Sequence, residues 1–204
     1  MTRPYKLGRR QAVADETRTR IVRAARKLLA TKKGVAAFTM DAVAREAKVS
    51  RMTLYHQFGS KPAILSALFD VLAEEGGIAA ALPNAFQRPD PLEAIDDFVA
   101  AFGRFWSSDR VLYRRMEALA TIDPEVEPTL RARQEWRRKG LSVLVQRLAK
   151  GRAAMTPAAT ARTIDILFVL TAFATFDMLA GASRTPADVI PIVQDLVRRA
   201  LGST

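Results

Sequence analysis

The chain has 204 residues, of which 49% are hydrophobic and 26% charged, with no cysteine and a formal net charge of +11. That length supplies one or two domains with a sizeable core, and the lack of cysteine excludes disulfides, thiolate metal sites and a Cys nucleophile. The basic N-terminus is followed by no apolar core, which argues against a signal peptide, and the uncharged apolar run 166–176, 11 residues long, is short of the ~20 needed to cross a bilayer; a soluble, cytoplasmic protein with no membrane partner is expected.

Residues 1–14 carry Arg3, Lys6, Arg9 and Arg10 and no acid, so a disordered basic arm is expected there. A first helix is expected over 16–33, with Ile21, Ala25, Leu28 and Leu29 on one face and Gly34 as its stop. The stretch 38–61, FTMDAVAREAKVSRMTLYHQFGSK, then reads as two short helices and the start of a third. Thr39 can cap the first, with Phe38 outside and Val43 four positions inside, the hydrophobic-staple arrangement. Ser50 repeats the pattern with Val49 and Leu54. Ser60 opens the next helix, with Lys61 and Pro62 in its first turn, and that helix carries Ile64, Leu65, Leu68, Phe69 and Leu72 as far as Gly76-Gly77.

Residues 78–91 hold Pro83, Asn84, Pro89 and Pro91 and are expected to be a linker or loop. Helices are then expected over 91–106 and 109–121, and from Asp123-Pro124 to about Lys150. Thr156-Pro157 opens a strongly apolar helix running to Ala180, and the last helix starts at Thr185-Pro186. β alternation and Gly-rich strand–turn–helix patterns are missing. The fold class is therefore all-α, about nine helices: an N-terminal three-helix head with a helix-turn-helix, and a C-terminal helical bundle.

Two capped helices as short as those in 38–58 cannot stand alone. They need a supporting helix and a use for their exposed side chains, and a helix-turn-helix, whose second helix enters the major groove, supplies both. The charge map agrees. Residues 1–61 hold 15 Lys and Arg against 4 Asp and Glu, a net of +11, whereas residues 62–204 hold 17 of each sign. A basic block beside a neutral one is the footprint of a polyanion partner. On the second helix, Ser50, Arg51, Met52, Thr53, Tyr55 and His56 have hydroxyls, a guanidinium, rings and a thioether suited to phosphates and base edges.

The motif Phe38-Thr39, Val43-Ala44, Ala47, Val49-Ser50, Thr53-Leu54-Tyr55, Phe58 and Ser60-Lys61 resembles the TetR family of transcriptional regulators in order and spacing. Lys48 stands where that family usually has glycine, and Gln57 precedes Phe58 where histidine is common. The resemblance covers about the first third of the chain. It implies a homodimeric repressor on a palindromic double-stranded DNA operator, with Thr39 and Lys61 as phosphate contacts. It also implies a DNA-binding domain over 1–61 and an effector-binding and dimerisation domain over 62–204. The alternative is a DNA-binding protein without a small-molecule effector, controlled by a protein partner or by abundance.

An aromatic stripe at helical spacing is by itself core. The resemblance implies a pocket for a largely apolar effector, with Phe102, Trp106, Tyr113, Met116, Trp136, Phe168 and Asp177 as candidate lining. Helix 157–180 is apolar on two sides and needs two partners, one of which can be a second subunit. Val189, Val193, Leu196 and Val197 give the last helix an apolar face, the candidate dimer seam. Asp177 needs a partner if buried: an arginine of its own bundle, a group across the dimer, or a cationic ligand. His56 is the only histidine. No residue spacing suggests a metal site, a phosphate-cradling loop or a nucleophile–base pair, so neither enzyme activity nor a cofactor is expected.

Overall fold

The computed structural model describes residues 4–150 and 155–202; for residues 4–10 it describes the backbone only. Among the described residues there are twelve α-helices, one 3-10 turn and no strand. The chain divides into two compact units, the first of residues 1–70 with 114–130, the second of residues 71–113 with 131–204.

The first unit contains α1 (Pro4–Ala30), α2 (Gly34–Ala37), α3 (Met40–Glu46), α4 (Arg51–Phe58) and the start of α5 (Lys61–Glu75). It also takes in most of α8 (Arg110–Ile122) and the turn leading into α9 (Glu127–Lys150). Ile21, Ala25 and Leu29 of α1 are fully buried, as are Leu54, Ile64, Leu65 and Leu68. The 3.6-residue period of those apolar positions is what makes α1 a support for α3 and α4. Burying side chains such as Leu54 and Phe58 contributes about 1.5–3 kcal/mol each, which stabilises two helices too short to form alone.

The second unit contains α6 (Ile78–Gln87), α7 (Pro91–Ser108), most of α9, α10 (Pro157–Leu170), α11 (Phe173–Ala180), the 3-10 turn Ala187–Val189 and α12 (Ile190–Ala200). Helix α7 is its centre: α6, α11 and α12 all pack on it. Asp90 caps α7 by accepting from Leu92 N at 2.8 Å, with Pro91 in its first turn. Gly103 lets the partners approach: a Cβ there would meet Ile190 and come within 2.8 Å of a Phe176 ring carbon.

The described residues form twelve α-helices rather than about nine, and three expectations about individual elements need correction. Residues 4–14 are helical rather than disordered. Pro4 stands at the first helical position, and Lys, Arg, Gln and Ala are all good helix formers, so a basic composition does not oppose the helix. Residues 1–3, with Arg3, lie outside the described residues. Residues 78–87 are helical rather than a linker: Ile78, Leu82 and Ala85 make a buried stripe, with Pro83 on the exposed side. Helix 157–180 is two helices, bent by 50° at Thr171-Ala172. The peptide groups freed at that break are occupied. Arg137 donates to Phe168 O at 2.6 Å and to the Thr171 hydroxyl at 2.6 Å, and the Trp106 indole N–H donates to Thr171 O at 3.1 Å. A bend whose carbonyls are taken by side chains 31 and 65 residues away has no local signature.

Candidate nucleic-acid interface

Caps position the helix-turn-helix as the residue pattern requires. Thr39 Oγ1 accepts from Ala42 N at 3.1 Å, and Ser50 Oγ accepts from Thr53 N at 3.0 Å. Phe38, Val43 and Leu54 are buried, completing the apolar side of both staples. Between the helices Lys48 has φ 54°, the one positive φ outside glycine among the described residues. The tight turn thus takes the left-handed conformation at a position that glycine would occupy without strain. Gly59 ends α4 at φ 71°. From α1, Arg18 donates to Gln57 O at 3.3 Å and lies 4.3 Å over the Phe58 ring. This clamp on the last turn of α4 joins residues 39 apart, which no sequence spacing announces.

The candidate DNA-contacting residues are exposed with two exceptions. Arg51, Met52, Tyr55 and His56 are exposed, Met52 the most, at 82%. Thr39 and Ser50 are exposed as well, but both hydroxyls are committed to caps, and Ser50 and Thr53 also share a hydrogen bond of 2.8 Å. Thr53 is half-buried. Lys61 is also half-buried, and its ammonium is 2.6 Å from Asp123 Oδ2. The Lys61 hydrogen bond is the main reason the Asp123 carboxyl is held below the ordinary carboxylate range; the backbone N–H groups of Glu125 and Val126 act in the same direction. Arg51 lies 5.5 Å from the Tyr55 ring and 3.3 Å from Asp41 Oδ1. A hydrogen bond to Tyr55 and, after it, the charge of Asp41 raise the Arg51 guanidinium above its ordinary pKa.

In the second unit Phe102, Trp106 and Tyr113 come together. Trp106 lies 5.7 Å from Phe102, 5.0 Å from Tyr113 and 5.7 Å from Phe173, and Phe105 lies 4.7 Å from Trp106. Phe168 is reached through Arg137, whose guanidinium lies 4.2 Å over its ring and 5.9 Å from Phe102. Sequence reasoning missed Arg137, 4% exposed, because it lies in a run of basic residues that looks like a solvated face. Trp136 is the converse: it is 58% exposed and is not part of the cluster, since its neighbour Arg137 takes the inward position on α9. Met116 is fully buried, but in the first unit. Asp177 pairs with Arg110, which also donates to the backbone oxygens of Asp177, Gly181 and Arg184 at 2.8, 2.7 and 3.0 Å. Of the three partners open to Asp177, the arginine of its own bundle is the one found.

The candidate seam on α12 needs correction. Val189, Val193 and Val197 are fully buried within the chain, turned toward its own core, and only Leu196 of the four is exposed, at 38%. The large apolar side chains left exposed on α10, α11 and α12 are instead Ile166, Val169, Met178, Ile192 and Leu196. Along α10 only Leu167 is buried.

The fold and the capped, basic helix-turn-helix define a DNA-binding regulator. Residues 21–68 match the family model described as bacterial regulatory proteins, tetR family. Among solved structures, the transcriptional regulator FadR of Bacillus subtilis, in complex with stearoyl-CoA, superposes with a TM-score of 0.71 at 14% identity, covering 88% of this chain and 96% of that one. NalD of Pseudomonas aeruginosa, the secondary repressor of a multidrug efflux pump, gives a TM-score of 0.64 at 18% identity, with 92% and 96% covered. PfmR of Thermus thermophilus gives 0.57 at 24% identity, with 88% and 97% covered. No curated protein matches the chain. The family match thus covers the helix-turn-helix segment, and the solved structures share the fold of the chain.

Proposed function

We propose that this regulator is a homodimeric repressor, held on a pseudo-palindromic operator and released by a small, largely apolar effector. One observation carries the reading: the exposed face of α4, with Arg51, Met52, Tyr55 and His56, lies on the segment holding all of the net charge. The dimer is supported by the exposed apolar side chains of α10, α11 and α12, since a helix with one buried apolar residue needs a second partner. A two-fold dimer presents two recognition helices ~34–36 Å apart, one per half-site. In division of labour, residues 1–61 bind DNA and residues 62–204 dimerise and take the effector. Phe102, Trp106, Tyr113 and Phe168 are the lining side chains, with Thr39 and Lys61 on phosphates. Stearoyl-CoA in the Bacillus subtilis structure is a precedent for a long apolar ligand on this fold. The effector changes DNA affinity only by the difference in its affinity for the two states of the protein.

A second reading, regulation without a small molecule, is favoured by the ring-on-ring contacts at 4.7–5.7 Å around Trp106. A single experiment separates the readings. Fluorescence anisotropy on the DNA flanking the protein's own gene is expected to show sequence-preferring binding, reversed by a subset of apolar acyl and aromatic compounds. Absence of any preferred duplex overturns the repressor reading. Binding that no tight-binding compound reverses favours the effector-free one.

A further inference from the structure

We infer that Asp41 is a specificity residue of the DNA-binding face: its carboxylate holds the Arg51 fork in the geometry that reads a base in each half-site. The inference rests on the operator-binding reading above.

The two residues come from different helices of the motif. Asp41 is the second residue of α3 and Arg51 the first of α4. Arg51 Nη1 lies 3.3 Å from Asp41 Oδ1 and 3.5 Å from Oδ2, and the Tyr55 ring one turn along α4 lies 5.5 Å from the guanidinium. The side chain is thus steered from two sides while 65% exposed, in the row of residues turned outward on α4. Arginine recognises guanine by offering two N–H groups of a planar fork to O6 and N7. Asp41 engages Nη1, one of three nitrogens that carry the five donors. A long side chain already restrained loses less freedom on meeting a base than a free one.

The charge of Asp41 points the same way. Residues 1–61 hold only four acids, and Glu46, the other on α3, pairs with Lys27 of α1. A carboxylate beside the recognition helix repels phosphates, so it lowers affinity for all DNA. On such a face it has a use only if it improves discrimination. A purely local role, complementing the N-terminus of α3, affects folding stability and leaves base preference unchanged.

The test is selection from a pool of random-sequence duplexes by the full-length wild-type protein and by its Arg51→Ala, Asp41→Ala and Asp41→Glu variants. Affinity for a mixed-sequence duplex lacking the selected site is measured alongside, and circular dichroism checks folding. The Arg51→Ala variant is expected to lose preference at defined positions of each half-site. Asp41→Ala is expected to lose about three- to tenfold of preference at the same positions, part of the ~5- to 150-fold a bidentate contact supplies. Its affinity for the mixed duplex should be unchanged or higher, and Asp41→Glu should keep most of the preference. Wild-type preference retained by either alanine variant overturns the inference, as does a loss in Asp41→Ala at positions Arg51→Ala leaves intact. A wild-type protein that enriches no sequence overturns the operator-binding reading itself.

Discussion

Lys48 and Asp123 show how much single residues contribute to the head. At φ 54° Lys48 holds the helix-turn-helix turn in a conformation that costs a side-chain-bearing residue ~1–2 kcal/mol. Part of that cost returns with glycine, which loses more freedom on folding. Lys48→Gly should therefore raise stability by about 0.5–1 kcal/mol, measured as a higher urea midpoint at unchanged slope. Asp123 works through charge. Its carboxyl is held below the ordinary range chiefly by the Lys61 hydrogen bond, so its folded pKa lies below the unfolded value of ~3.9. A depressed carboxyl contributes fully above the unfolded pKa, and its contribution disappears as pH falls through the folded one. Asp123→Asn should cost about 1 kcal/mol at pH 7 and almost nothing under strongly acidic conditions. Urea titrations from pH 7 down to about pH 2, through the window in which a depressed carboxyl protonates, test this; a variant as acid-sensitive as the parent would show that other carboxyls govern the acid limb.

Among elements, α12 separates two roles that its apolar sequence merges. Val193 is fully buried in the chain's own core, whereas Leu196, three positions on, is 38% exposed with Ile192. Leu196→Arg should keep native helix content and shift the protein from dimer to monomer, read by analytical ultracentrifugation with circular dichroism. Val193→Arg should lose folded structure, because an unpaired charge buried in a core costs several kcal/mol. The opposite pattern would place the seam away from α12. The bend between α10 and α11 has a parallel lesson. Arg137 and Trp106 satisfy the carbonyls that the break frees, and Arg110 does the same for the end of α11. Both arginines look like surface charges in the sequence, and both are backbone partners in the structure.

At the scale of the whole molecule, charge is the property that decides the partner. On the operator-binding reading proposed above, a net of +11 on residues 1–61 against zero on the rest makes phosphate contact the largest expected contribution to DNA binding. The logarithm of operator affinity should fall linearly with the logarithm of salt concentration, with a slope of about −0.9 per phosphate contact. Lys61 is paired with Asp123 in the free protein. If it exchanges that partner for a phosphate on DNA, Lys61→Ala reduces the slope by about one and weakens all duplexes alike, whereas an unchanged slope leaves it in the ion pair, measured by anisotropy across salt concentrations from about 50 to about 200 mM. A flat titration would remove the electrostatic account of the interface.

The head was legible in the sequence because its structure is written locally. Each cap, Thr39 or Ser50, lies within five residues of both members of its own staple, and the left-handed turn falls on Lys48, where the resembled pattern has glycine. Caps and short turns depend on neighbours along the chain, so residue order alone determined them, together with the basic charge that marks the DNA-binding segment. The second unit was not legible in the same way. Which of Trp136 and Arg137 turns inward, whether Val193 or Leu196 meets solvent, that Asp177 pairs with Arg110, and that 157–180 bends at Thr171 are all choices made by contacts tens of residues apart. An apolar helix face states that it needs a partner; only the packing of the other helices decides which partner it receives.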